Sequence, residues 1–482
     1  MTLLGRASNS RIRENTRCDY EGKGAARMER ENEVQIYVSV ILPSLNVARY
    51  IRECIDSVRN QTMRQIEILC VDAGSTDGTL EILEKYVAVD ARIRIINSDQ
   101  KSYGHQVNLG IEAARGQYIG IVETDDFIDT VMYQNLYSYV GTDYPDFIKG
   151  GYYDYAEIEN RKLICESSRD DLLGVFGQQI DLRQEREKGL LDLNHIWAGI
   201  YRRDFLLEKD IKFNETPGAS YQDTSFSMLV GLLADTGVYV AGSYYYYRRD
   251  NANSSVKSST KWRCVIDELE YVSQEIVKKE KNSEDIQQFI WKYKPIFYFW
   301  NYLRLPQKER EQFGAEICKE LEKYIEDSVL YRSLSEGRKE MIAVMKNPDI
   351  SDAYFKKQKV LEDKYRALIT LARKGEKCIL ISAGRYSERM LVFQDFVGNK
   401  YIDAVADNNI MRQGCEWNGY IIMSLSEAVH QYEKHRFIIA NRRFSNELCN
   451  QLIGEGIPEN KILIFDSILS VPEMIDLLAE KK

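Results

Sequence analysis

The chain has 482 residues, enough for two to four domains of ordinary size. Hydrophobic residues make up 44% and charged residues 29%, a balance that excludes an intrinsically disordered chain. Lys plus Arg total 65 against 74 for Asp plus Glu, and the resulting net charge of −9 excludes the global positive field of a dedicated nucleic-acid binder. The nine cysteines are scattered without a C-x-x-C pair, and the four histidines make no H-x-x-x-H. A disulfide scaffold and a thiolate or imidazole metal site are therefore both poor readings, the compartment expected is a reducing one, and any metal would be held by carboxylates. No stretch approaches the run of about 20 apolar residues that a membrane span needs. Residues 1–36 carry many Arg and Glu but no apolar core of a secretory signal. They read as a poorly ordered leader, and a start codon placed too far upstream would leave the same pattern. The expectation is a cytoplasmic protein, or one lying on the inner face of a membrane without crossing it.

From Val38 the pattern changes. Val38 to Leu42 reads as a buried strand stopping at Pro43, and Tyr50, Ile51, Cys54, Ile55 and Val58 follow at helical spacing. Ile66–Val71 predicts a second strand, Leu80, Leu83 and Val87 a helix, and Arg92–Asn97 a third strand. A helix over about 104–114 and a fourth strand over Tyr118–Val122 complete the rhythm. Strand alternating with helix at this pace predicts a parallel sheet covered on both faces, with functional residues in the crevice at the carboxyl ends of the strands. Residues 181–257 are mixed, with Trp197, a strand-like 238–240 and the run Tyr244–Tyr247. Residues 260–373 are mostly helical and charged, after which a second α/β rhythm runs from Cys378 to Phe465.

Acidic residues cluster where the first strands end. Asp72 and Asp77 follow strand two, Glu123, Asp125 and Asp126 follow strand four, and Asp223 lies in Gln222-Asp223-Thr224. A parallel sheet sets the first two clusters side by side, where like charges repel unless a cation or a protonation shift offsets them. A hard divalent ion with oxygen ligands does this, and such ions bridge to substrate phosphates. Taken singly, these residues suit turns and caps equally well, and Ser75 or Asp77 is placed to cap the following helix.

Residues 38 to about 256 resemble a family 2 glycosyltransferase of the GT-A fold. The resemblance is carried by Val38 to Asn46, Asp72 to Gly78, Asn108-Leu109-Gly110 with Ala114 to Ile119, Glu123 to Asp126, Gln222 to Phe226, and Tyr247-Arg248-Arg249. It implies transfer of a sugar from a nucleoside diphosphate sugar, UDP by default, to a hydroxyl of a saccharide or lipid-linked saccharide, with inversion at the anomeric carbon. It implies that Pro43, Ser44 and Asn46 close strand one beside the nucleotide, that Asp72 faces its base or ribose, and that Asp77 and Asp126 belong to the same donor side. Glu123-Thr124-Asp125 takes the D-x-D position, where Asp125 and Glu123 would hold Mg²⁺ or Mn²⁺. Asp223 takes the position of the catalytic base, and Arg248 or Arg249 that of a phosphate clamp. Three positions depart from the pattern: Ala73 where many relatives carry a second Asp, Glu123 in place of the first Asp of the D-x-D, and Val107 where an Arg is common.

The division expected is a leader at 1–36, a GT-A domain at 37–257, a helical region at 258–374 and a Rossmann-like domain at 375–482. Within the helical region, residues 286–305 hold eight aromatics with Lys292, Lys294 and Arg304. They suit either a membrane-surface segment or, the favoured reading, a helix packed on the catalytic domain and broken at Pro295. The last domain resembles small Rossmann-like modules, yet its turn Ser382-Ala383-Gly384-Arg385-Tyr386-Ser387 keeps one glycine of the dinucleotide fingerprint. Asp407, 23 residues after Gly384, stands where an acid would meet a ribose. NAD(P) is not expected there, and the module reads as a binding or assembly unit. Two readings remain open. One is a metal-dependent transferase of bacterial cell-surface polysaccharide synthesis; the other is a degenerate transferase that binds a nucleotide or sugar through its last module. Neither reading involves nucleic acid, and both leave membrane contact and homo-oligomerisation open.

Overall fold

Apolar runs bounded by turn residues form the inner strands of a large mixed sheet. Val38–Ser44 (β1), Ile66–Asp72 (β2), Ile93–Asn97 (β3) and Tyr118–Ile121 (β4) pair in parallel. β1 and β2 are buried along their whole length, as strands covered on both faces must be. The computed structural model describes residues 35–158, 160–167, 169, 172–189, 195–251, 261–279, 283–325 and 328–479; the expected leader lies, up to residue 34, outside the described residues. β1 runs through Pro43 to Ser44, because a missing N–H costs little next to a strand end. The crossovers are Ile51–Arg59 (α1), Thr79–Val87 (α2) and Tyr103–Ala113 (α3). Gly116 lets the chain enter β4 tightly against β1: a β-carbon there would lie 2.6 Å from the Ser39 backbone nitrogen.

The sheet continues through Phe127–Ile128 (β5), Phe147–Ile158 (β6), Arg161–Glu166 (β7), Gln179–Asp181 (β8), Gly199–Arg202 (β9) and Thr236–Arg248 (β10). Its order is β3-β2-β1-β4-β9-β6-β10-β5, with β7 beside β6 and β8 beside β10. β9 is antiparallel to both β4 and β6, and so joins the parallel half to the Tyr-rich half.

Gln222–Leu233 (α4), Cys264–Lys278 (α5), Glu284–Arg304 (α6), Gln307–Leu321 (α7) and Glu336–Lys346 (α8) share one core with this sheet, through residues such as Phe226, Leu269, Phe297, Phe313 and Ile342. The aromatic segment is thus largely core, as favoured. The break expected at Pro295 does not occur, since α6 runs through it. Proline removes the N–H that would bond the Trp291 carbonyl, and the Tyr324 hydroxyl donates to that carbonyl instead. Among the described residues, no helix is long and apolar enough to cross a membrane.

Pro348–Arg373 (α9) starts at an Asn347 cap, whose Oδ1 accepts from the Asp349 N–H at 2.9 Å, and leads to a second sheet. That sheet comprises Cys378–Ile381 (β11), Ile402–Ala406 (β12), Glu416–Trp417 (β13), Tyr420–Met423 (β14), Arg436–Ala440 (β15) and Ile462–Phe465 (β16). Its order is β13-β14-β12-β11-β15-β16, parallel except for the β13–β14 pair. Asp407, past the end of β12, accepts from the Ala383 N–H at 2.8 Å and the Asn409 N–H at 2.8 Å, so its carboxylate closes turns of its own domain. The two sheets meet where Ala156 and Ile158 of β6 and Leu163 of β7 join one cluster with Leu361, Tyr365, Phe393 and Phe465.

Candidate active site

At the carboxyl ends of β1 and β4 lies a cavity of about 430 Å³, lined by Pro43, Glu123, Thr124, Asp125 and, from the start of α4, Asp223. The acidic cluster after β4, through Glu123 and Asp125, and the distant Asp223 therefore reach one space. Thr124 fixes the floor by donating to the Pro43 carbonyl at 2.8 Å. Gln106 of α3 ties the ends of β1 and β2 together, donating to the Ser44 and Val71 carbonyls at 2.9 and 2.6 Å. Tyr221 is held in the left-handed region at φ 66, which a bulky residue rarely adopts, and this turn starts the helix that carries Asp223.

Burial first, and then the charges of Asp125 and Asp223, push the Glu123 carboxyl up to about 8, although the Tyr103 hydroxyl donates to it at 2.5 Å. Burial likewise raises Asp223 to about 6, against the N–H groups of Thr224 and of Asp223 itself and the nearby His195. Asp125 accepts from the Asn251 amide at 2.8 Å. Glu123 and Asp125 form a hard, all-oxygen donor pair beside a third carboxylate, the environment that a divalent cation stabilises. Among the described residues, no group of three or more His, Cys, Asp or Glu is arranged to hold a metal alone. Glu123 and Asp125 would hold such an ion, and ligands from outside the protein would have to complete its shell.

Other predicted residues lie outside the lining. Asp72 is buried and accepts from the N–H groups of Gly74 and Ser75 at 3.0 and 2.9 Å and from the Ser75 hydroxyl at 2.6 Å. Asp77, one residue ahead of Gly78, the N-cap of α2, accepts from the Thr79 N–H and hydroxyl and from the Ala48 N–H at 2.9 Å, which lowers its carboxyl further than burial raises it. Asn46, at φ 56, accepts from the Thr76 N–H at 2.8 Å and so pins the β1 loop to the β2 loop. Ser44 is fully buried at the end of β1. Asp126 is buried under the site, accepting from the Tyr245 hydroxyl and the Arg248 N–H at 2.7 Å each.

Arg248 also sits behind the cavity wall. Its Nε donates to the Asp125 carbonyl at 2.8 Å, it pairs with Glu53, and its guanidinium lies 4.8 Å from the Tyr155 ring centroid. These contacts hold the Asp125 backbone in place. Arg248→Ala is expected to destabilise the fold by about 2–3 kcal/mol, the cost of a largely buried pair with one exposed partner. Urea unfolding checks this; unchanged stability with weakened donor binding would instead mark a phosphate clamp.

Several lining residues carried no sequence signal: Lys101, Tyr103, Asn251 and Lys261. Trp197 is only 5% exposed and yet lines the cavity, stacked on Tyr245 and Tyr247 at 4.1 and 5.1 Å. Behind Asp223, the fully buried Glu268 of α5 accepts from Asn214 at 3.1 Å and from the Ser225 hydroxyl. Burial, followed by the Asp223 charge, raises Glu268 to about 8 despite these bonds. A carboxyl whose folded pKa lies above its ordinary 4.5 loses stability as pH rises from 4.5 through 8. Glu268→Gln, which cannot ionise, is therefore expected to melt above wild type at pH 8. An equal or lower Tm across a pH series would show that the acid is ionised in the fold.

The model of the family described as Glycosyl transferase family 2 matches residues 39–206. Glycosyltransferase GlyG of Streptococcus pneumoniae serotype 4 is 30% identical over 216 residues, covering 44% of this chain and 70% of that protein. The uncharacterized glycosyltransferase EpsJ of Bacillus subtilis is 28% identical over 288 residues, covering 58% of this chain and 75% of that protein. Among solved structures, residues 1–349 of S. aureus TarS in complex with UDP-GlcNAc align with a TM-score of 0.48 and 19% identity, covering 64% of this chain and 86% of that chain.

Proposed function

The chain belongs to glycosyl transferase family 2, and we propose that this glycosyltransferase moves a sugar from a nucleoside diphosphate sugar to a saccharide hydroxyl with inversion. The observation that carries the reading is the convergence of Asp223 with the Glu123–Asp125 pair on one cavity. Asp223 takes the proton of the acceptor hydroxyl as its oxygen attacks the anomeric carbon from the face opposite the diphosphate. The bond to the diphosphate breaks, and its electron pair stays on the departing oxygen. A base with a pKa of about 6 is ionised at neutral pH and still basic enough to assist. Mg²⁺ or Mn²⁺ held by Asp125 and Glu123 would offset the charge that develops on the diphosphate. Lys101 and Lys261 line the same cavity and add fixed positive charge. Asp72, Asn46 and Ser44 shape the nucleotide side through the loops they close. We place the reaction in the synthesis of a cell-surface polysaccharide.

The test is thermal stability against a panel of nucleoside diphosphate sugars with and without Mn²⁺, followed by product analysis with the donor that binds. A ligand specific for the folded state raises Tm by mass action. A Mn²⁺-dependent shift with one donor, and a product of inverted configuration, are expected. Retained configuration, or no shift with any donor, overturns the reading.

A further inference from the structure

The last turn of α6, outside the segment that the family model matches, packs against the site on the side of Asp223. Asn301 is fully buried and donates to the Trp262 carbonyl at 2.8 Å, fixing the segment that carries the cavity-lining Lys261. Trp300 meets the ring of Tyr221 edge-on, with centroids 5.4 Å apart. The Arg304 guanidinium lies 4.9 Å from the Tyr221 ring and 5.4 Å from the Trp300 ring. Tyr221 itself lines the cavity, two residues before Asp223. One helical turn thus braces two walls of the site and sets an indole beside its rim.

That indole is 41% exposed, although its neighbours Asn301 and Tyr302 are buried. Isolated exposed apolar residues are common and need no explanation. Trp300 differs in being clamped by a cation and an aromatic ring of the cavity wall, an arrangement that fixes a large flat surface with little rotamer freedom left to lose on binding. The C–H faces of a pyranose are flat and apolar while its hydroxyls point outward, so a sugar ring suits an indole that is open to water on one side.

We propose that Trp300, held by Tyr221 and Arg304, is the platform on which an oligosaccharide acceptor stacks, one ring resting on the indole while the next presents its hydroxyl to Asp223. This deepens the transfer reading above and rests on it for the position of the reacting ring. The acceptor is then an oligosaccharide rather than a single sugar, and the helical region takes part in choosing it.

The experiment applies the full-length protein, with Trp300→Ala and Trp300→Phe, to an array of bacterial surface saccharides in the presence of Mn²⁺ and UDP. Turnover of nucleoside diphosphate sugars by wild type is measured in parallel, and the melting curve of each variant checks its fold. Wild type is expected to retain oligosaccharides. Trp300→Ala should weaken their apparent Kd, and raise the acceptor KM in transfer, by roughly tenfold, with most of the loss restored by Trp300→Phe. Oligosaccharides held equally well by a folded Trp300→Ala overturn the platform, as does binding by wild type of monosaccharides only or of nothing. Oligosaccharide binding that depends on Trp300, without turnover of any donor, keeps the platform and overturns the transfer reading.

Discussion

Asp223→Asn is expected to lower kcat by roughly 10²- to 10⁴-fold, the usual contribution of a general base, while the donor still raises Tm. The amide keeps the shape of the side chain at the start of α4 but cannot take a proton. On the proposed mechanism Asp223 works as a carboxylate, so the rate should fall about tenfold per pH unit below a pH of about 6, and the variant should lack that limb. Glu123, Asp125, His195 and Glu268 surround the group, yet burial is the largest cause of its shift. Stability carries an independent signature. A folded pKa above the ordinary 3.8 means that stability is lost as pH rises from 3.8 to about 6 and stays lost above it. Asp223→Asn should therefore melt higher than wild type at pH 7 and gain nothing at pH 4, as expected when an active site trades stability for reactivity. A variant that keeps wild-type turnover removes Asp223 from the chemistry.

Asp125→Ala should abolish the Mn²⁺-dependent part of the donor-induced Tm shift and lower activity on the order of 10³-fold, several kcal/mol of charge stabilisation. The backbone at Asp125 is held by Arg248 through its carbonyl, so the substitution leaves the loop anchored. It also removes the largest charge raising the neighbouring acid, so Glu123 should titrate below its present value of about 8. Calorimetry of Mn²⁺ with donor against Asp125→Ala checks both points. An undiminished metal response would place the cation elsewhere.

The parallel strands were legible because each is a short apolar run bounded by turn residues, and so were the carboxylates that end β2 and β4. Which of those carboxylates faces the cavity was not legible. Asp125 and Asp126 are adjacent, yet one lines the cavity and the other accepts from the end of β10, because the chain turns here, the Asp126 N–H donating to the Glu123 carbonyl at 3.0 Å. Asp77 read equally well as ligand or cap; its oxygens accept from the neighbouring Thr79 N–H and hydroxyl and from the Ala48 N–H, which only the fold brings near. Tyr103 is the first residue of α3 and Lys261 lies just ahead of α5, positions at helix starts that periodicity does not single out. Glu268 sits in a run of acidic residues on α5 that reads as a solvated face, although packing against α4 buries it completely. The Tyr-rich half of the large sheet escaped for a related reason: aromatic strands buried unevenly on both faces show neither clean alternation nor a continuous apolar run.

The tip of the β6–β7 hairpin belongs to the larger sheet by its hydrogen bonds and to the second sheet by its apolar contacts. Modularity in this chain is therefore not where a gene-level map would cut it. A fragment ending near residue 374 would present Ala156, Ile158 and Leu163 to water, stripped of Phe393 and Phe465. Recombination that exchanged the last domain alone would inherit a hairpin shaped for a different neighbour. An exchange of the last domain would have to carry the matching hairpin surface with it.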